Sequence, residues 1–121
     1  MSKFQEPIEK VDIQFLKTAT GDDAHFEKDL FNLFITTIKD SIGKIKIAIE
    51  KSDEKNWVKT VHSLKGSAAA VGAFELARLL EYGHNHPEMS KKDKEELLAL
   101  VEEKLVLITD ILRKVLLKDK S

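Results

Sequence analysis

A chain of 121 residues has room for one modest core, and 42% hydrophobic with 34% charged residues is the balance of a folded domain, not of a disordered segment. Twenty basic and 21 acidic side chains leave a formal charge of -1, so no overall field favours nucleic acid or an anionic membrane. Cysteine is absent, which excludes disulfides and thiolate metal centres, and no apolar run approaches bilayer-spanning length.

Apolar residues recur at three- and four-residue intervals throughout, the helical period, and no strand alternation of useful length is present. A short first helix is expected from near Pro7, with Ile8, Val11, Phe15 and Leu16 on one side. The stretch TGDD (Thr20 to Asp23) ends it and supplies capping groups. The second helix is expected from Ala24 to Lys51, with Phe26, Leu30, Phe34, Ile38, Ile42, Ile45 and Ile49 along its core face.

SDEKN (Ser52 to Asn56) reads as a tight connection and a new start, with Ser52 or Asp53 as N-cap. The third helix should end near Val71 and Gly72. A fourth runs from about Phe74 to Tyr82 or slightly further, and GHNHP (Gly83 to Pro87) is expected to break it, because Pro87 blocks helix continuation. Ser90 caps the last helix, whose stripe is Leu97, Val101, Leu105, Ile108, Leu112 and Val115. Short connections between amphipathic helices imply antiparallel neighbours. The expected fold is all-α, an antiparallel four-helix bundle with an additional short N-terminal helix, in one domain spanning 1–121. LVLI (Leu105 to Ile108) is apolar on more than one side, which fits either deep burial or a self-association surface.

The third helix carries the feature that a plain bundle does not need. At about 100° per residue, Trp57, Val61, Leu64, Ala68 and Val71 form its core stripe, and His62 falls roughly 140° from the stripe's centre. His62 should therefore project into water. Lys65 and Gly66, three and four residues on, flank it, and Ala69 and Ala70 follow. A mid-helix glycine costs ~1 kcal/mol relative to alanine, so something should compensate. For Ser67 and Ala68, near the core stripe, close helix packing is the better explanation. For Gly66 and Ala69, a clearing that lets another molecule approach the imidazole is the better one.

A solvated imidazole, with a reference pKa of ~6.5, is mostly neutral and nucleophilic at pH 7. A lysine one turn away would stabilise a dianion placed on the ring and disfavour protonation of it. Both effects suit a phosphoryl acceptor.

HSLKGSAAAVGA, from His62 to Ala73, resembles the signature of histidine-containing phosphotransfer (HPt) domains, H-x-L-K-G-x-x-x-x-x-G, with His62, Leu64, Lys65, Gly66 and Gly72 in register. The helix before it, the acidic turn KSDEKNW and the following GAFELARLLE are also similar to the family, so the likeness runs from about Val11 into the last helix. It implies a four-helix bundle that works as a phosphocarrier, not an enzyme, in multistep His-Asp phosphorelays. On this sequence His62 becomes the phosphorylated residue, Lys65 the group that stabilises the phosphate, and Gly66 the point of access for the receiver. His84 lies near a position where some members place a glutamine against the active imidazole, which implies an orienting role.

The chemistry expected from this is attack by an outward nitrogen of His62, Nε2, on a receiver's aspartyl phosphate. No acidic cluster shares the His62 face, so the domain needs no cofactor of its own and Mg²⁺ comes with the receiver. Lys59 and Lys65 belong to the polar rim of the docking face. The implied partners are response-regulator receiver domains and hybrid sensor kinases, with neither nucleic acid nor membrane involved and the protein a monomer. The first ten residues carry no apolar signal core, so the expected compartment is cytoplasmic. Met1 and the charged tail LKDKS favour a free-standing protein.

Three other readings compete. The dimerising phosphoacceptor domain of a sensor kinase usually has an acidic residue after the histidine and a proline further along, whereas Ser63 follows here and that helix has no proline. A weak metal-binding bundle could use His84, His86 and Glu88 in HNHPE, but a loop H-x-H without convergent ligands is poor, and no metal ligand is assigned. A non-catalytic helical-bundle adaptor would make His62 dispensable.

Overall fold

The computed structural model describes residues 11–117. Among these, five helices and no strand are found: α1 (Ile13–Thr20), α2 (Ala24–Glu50), α3 (Glu54–Ala70), α4 (Phe74–Asn85) and α5 (Lys91–Leu116). The expected start near Pro7, with Ile8, lies outside the described residues.

Capping residues set the starts. Asp12 accepts from the N–H of Phe15, Asp23 from those of His25 and Phe26, Asp53 from that of Asn56, and Ser90 from that of Asp93. Asp53 and not Ser52 therefore begins α3, and Ser52 turns the chain with φ of 53°. The Asn56 N–H, followed by the Asn56 amide, holds the Asp53 carboxyl below its usual range.

The connections α2–α3 and α3–α4 occupy only residues 51–53 and 71–73, so consecutive helices fold back antiparallel. The third helix packs between α2 and α4, and α5 closes the bundle against both. Trp57, Val61, Leu64, Ala68 and Val71 are all buried, and they meet Ile45, Leu76, Leu80, Leu97, Val101 and Ile108 in one continuous core. The stripe expected on α5 is buried except for its last member, because Leu116 takes the terminal core place while Val115 is only partly covered. Within LVLI, Leu105 and Ile108 enter the core, whereas Val106 and Leu107 are exposed.

The start of α2 needs a correction. Phe26 is 47% exposed, and Glu27 takes the inward place at the start of α2. Glu27 is buried because α1 satisfies it: Lys17 Nζ lies 2.6 Å and Thr20 Oγ1 2.8 Å from its Oε2. An apolar stripe extended to the first turn misses this, since burial there is decided by what covers the helix end. The fourth helix takes the longer of its expected extents. It continues through Gly83 and His84 to Asn85.

The first helix is pinned over the α3–α4 turn. The Asp12 N–H donates to the Gly72 carbonyl over 2.9 Å, and Phe15 meets Phe74 edge-on with ring centroids 5.0 Å apart. Gly72 has φ of 82°, and a Cβ there would stand 2.9 Å from the Asp12 carbonyl oxygen. Both the left-handed turn and the close approach of Asp12 require glycine.

Candidate functional site

The site lies where the outer side of α3 meets the last turn of α4. With the core stripe of α3 turned inward, His62 is exposed, as are Ser63, Gly66 and Ala70. A methyl group at Gly66 would meet no neighbouring side chain or helix within 4 Å. Internal packing therefore gives no reason for a glycine there. Ala68 is fully buried, in keeping with helix packing, and Ser67 is half-buried. Ala69 is half-buried as well, so the open ground beside His62 runs over Gly66 and Ala70 more than over Ala69. Lys59, one turn before His62, is exposed and borders a shallow groove between α2 and α3 with Lys44 and Ile47.

The fourth helix brings a second imidazole to the first. The rings of His62 and His84 lie with centroids 5.0 Å apart, tilted by 41°. Gly83 makes this proximity possible. It sits on the buried stripe of α4 with Leu76, Leu79 and Leu80, and a Cβ there would stand 2.7 Å from Leu97 Cδ2 and 3.3 Å from Trp57 Cζ2. Its carbonyl accepts the buried Trp57 indole N–H at 2.9 Å. Gly83, within the stretch expected to break the helix, instead lets α4 lie close on α3.

Lys65 is not a free ammonium. Its Nζ is bonded to Glu81 Oε1 on α4. Asn85 Nδ2 donates to the other carboxylate oxygen of Glu81 at 3.3 Å, and Asn85 Oδ1 lies 3.3 Å from His84 Nδ1. An amide whose nitrogen faces a carboxylate offers its oxygen to the ring, so the pairing fits a proton on His84 Nδ1. The Lys65 hydrogen bond, then that of Asn85, holds the Glu81 carboxyl below its ordinary range, and the charge of Lys65 adds to this.

Neither Glu81 nor Asn85 is singled out by the sequence, which places the end of α4 only at Tyr82 or slightly further. The available signal is the spacing, since Glu81, His84 and Asn85 share one face once the helix is carried three residues further. His86 turns elsewhere. Its ring stacks on Tyr82 with centroids 4.1 Å apart, and its Nδ1 is 2.8 Å from the Tyr82 carbonyl oxygen. Among the described residues, no group of three or more histidine or acidic side chains is placed to hold a metal ion.

With the bundle and this exposed histidine in place, comparison with protein-family models matches residues 29–113 to the Hpt domain. The chain belongs to the Hpt domain family. Neither the comparison with curated proteins nor that with solved structures finds a match. Hpt domains are phosphocarriers that take part in histidine phosphotransfer within phosphorelays, working with receiver domains and kinases. The matched span contains most of α2, all of α3 and α4, and most of α5, so both sides of the candidate site fall inside it. No helix among the described residues is long and apolar enough to cross a membrane.

Proposed function

We propose that His62 is the phosphoacceptor of this Hpt domain, exchanging a phosphoryl group with the aspartates of receiver domains in response regulators and hybrid sensor kinases. A single observation carries the reading: an exposed imidazole stands beside a lysine and above a glycine whose missing side chain no internal contact explains.

The step is an in-line displacement. Nε2 of His62 attacks the phosphorus of the aspartyl phosphate, the N–P bond forms as the P–O bond to aspartate breaks, and the carboxylate leaves with the bonding pair. The other ring nitrogen keeps its proton, so the exchange needs no general base. The reverse step uses the same atoms. The chain supplies position and charge: α3 holds the nucleophile, Gly66 admits the receiver, and Lys65 faces the negative charge that arrives. Lys59 lies on the rim towards α2. The carboxylate of Glu81, beside Lys65, is engaged by Lys65 and Asn85, so the Mg²⁺ that phosphoryl transfer uses is assigned to the receiver's own carboxylates.

The test is incubation with a radiolabelled, phosphorylated receiver domain. Acid-labile, alkali-stable label is expected on the wild type and none on His62→Gln. Label retained by that variant overturns the assignment.

A further inference from the structure

The cation beside His62 is already taken. Lys65 and Glu81 join α3 to α4, and the second oxygen of Glu81 is held by Asn85, so the carboxylate is fixed from both sides. A phosphoryl group on His62 would arrive one helical turn from Lys65 and would seek the same ammonium.

We infer that Glu81 is a positioning residue for phosphotransfer, a counter-ion that withholds Lys65 until a phosphoryl dianion on His62 displaces it. This rests on the assignment of His62 and deepens it. A phosphoryl group carries close to two negative charges and three strong acceptor oxygens, against one charge on a carboxylate, so it wins the ammonium when it is present. When it is absent, Glu81 keeps Lys65 neutralised and held towards α4. The exchange has a cost. Lys65 must break its bond to Glu81, and the released carboxylate stays near the new dianion and repels it. Phosphorylated His62 is therefore less stabilised than it would be beside an unencumbered lysine.

That loss suits a carrier. A relay intermediate must accept the phosphoryl group and give it up again, and an acceptor that bound it too firmly would stop the flow. Asn85 strengthens the arrangement, because it keeps Glu81 in place after Lys65 has moved and links it to His84, whose ring lies beside the acceptor.

The experiment uses the full chain and phosphoramidate, a small donor that needs no partner protein. Phosphorylation of His62 is followed by intact mass and ³¹P NMR in wild type, Glu81→Gln, Lys65→Met and the double variant. Glu81→Gln should be phosphorylated about two- to fivefold faster or further than wild type, the scale of a partly exposed ion pair. In the Lys65→Met background, Glu81→Gln should gain less than it does beside the lysine, because only the direct repulsion by the carboxylate is then removed. Raising ionic strength should narrow the gap between wild type and Glu81→Gln, because salt screens the Lys65–Glu81 pair in the one and the attraction of Lys65 for the phosphoryl group in the other, a readout that does not depend on comparing the stabilities of variants.

A wild type that labels while Glu81→Gln equals it or falls below it overturns the withholding role and leaves His62 as the acceptor. So does a Glu81→Gln gain that persists undiminished without Lys65. A wild type that takes no phosphoryl group from phosphoramidate or from a phosphorylated receiver overturns the His62 assignment, and this inference with it.

Discussion

The indole N–H of Trp57 donates to the backbone carbonyl of Gly83 over 2.9 Å, inside the core. That bond and the missing side chain of Gly83 fix how closely α4 lies on α3, and so where His84 and Glu81 stand relative to His62 and Lys65. The polar site on the surface is set by an apolar contact beneath it.

Gly83→Ala tests this. A methyl group would press on Leu97 Cδ2 at 2.7 Å and on the Trp57 ring at 3.3 Å. Overpacking a tight core costs about 1–3 kcal/mol, against ~1 kcal/mol regained in helix propensity. A net loss of about 1–2 kcal/mol is expected in urea unfolding. The surviving folded protein should also show weakened nuclear Overhauser contacts between the His62 and His84 rings. Unchanged stability together with unchanged ring contacts would mean that the close approach is not what positions the pair.

Gly66→Ala should have the opposite sign. No neighbouring group stands within 4 Å of a methyl there, so the substitution is expected to stabilise the bundle by about 0.5–1 kcal/mol. Gly66→Leu should keep the fold, block transfer from a phosphorylated receiver domain, and still accept from phosphoramidate, which is small enough to need no clearing. Normal receiver transfer to Gly66→Leu would show that docking does not use this ground.

The helical frame was legible in the sequence because periodic burial was uniform where one helix faces another. Trp57, Val61, Leu64, Ala68 and Val71 repeat at helical intervals, and all five are buried. That one stripe also turned His62 outward. Ser90, and Asp53 as one of two candidates with Ser52, were legible as caps because such side chains act on their own backbone. The misplaced parts depend on contacts between elements. Gly83 has the local signature of a breaker, and only Leu97 and the ring of Trp57, on other helices, make it a packing residue. Glu27 is charged and adjoins an aromatic that looks more suited to the core, yet α1 supplies it with Lys17 and Thr20. The pairing of Lys65 with Glu81 depends on the relative rotation of two helices, which no periodicity within either one reveals.

Gly72→Ala should detach α1. At φ of 82° an alanine is strained, and its Cβ would crowd the Asp12 carbonyl oxygen at 2.9 Å. A left-handed non-glycine position costs of order 1–3 kcal/mol. Hydrogen exchange is the suitable measurement. The Asp12 amide, which donates to the Gly72 carbonyl, should lose protection, while amides in the middle of α3 keep most of theirs. Equal loss across α1 and α3 would show that the turn and the bundle unfold as one unit.

The link between Lys65 and Glu81 also predicts how stability follows pH. Lys65 first, and then Asn85, lower the pKa of Glu81 in the folded state. A lowered carboxyl pKa favours folding wherever the unfolded group is ionised, above its reference value of ~4.3. The contribution fades as pH falls through that value towards the lower folded one, and it is gone below both. The melting temperature of wild type relative to Glu81→Gln should therefore be higher by a constant amount above about pH 5.5 and should converge on acidification. Glu81 stays ionised between pH 6 and 8, so the about two- to fivefold difference in phosphorylation should be the same at both ends of that window. A difference that changed between pH 8 and pH 6 would show that it does not come from the Glu81 carboxylate.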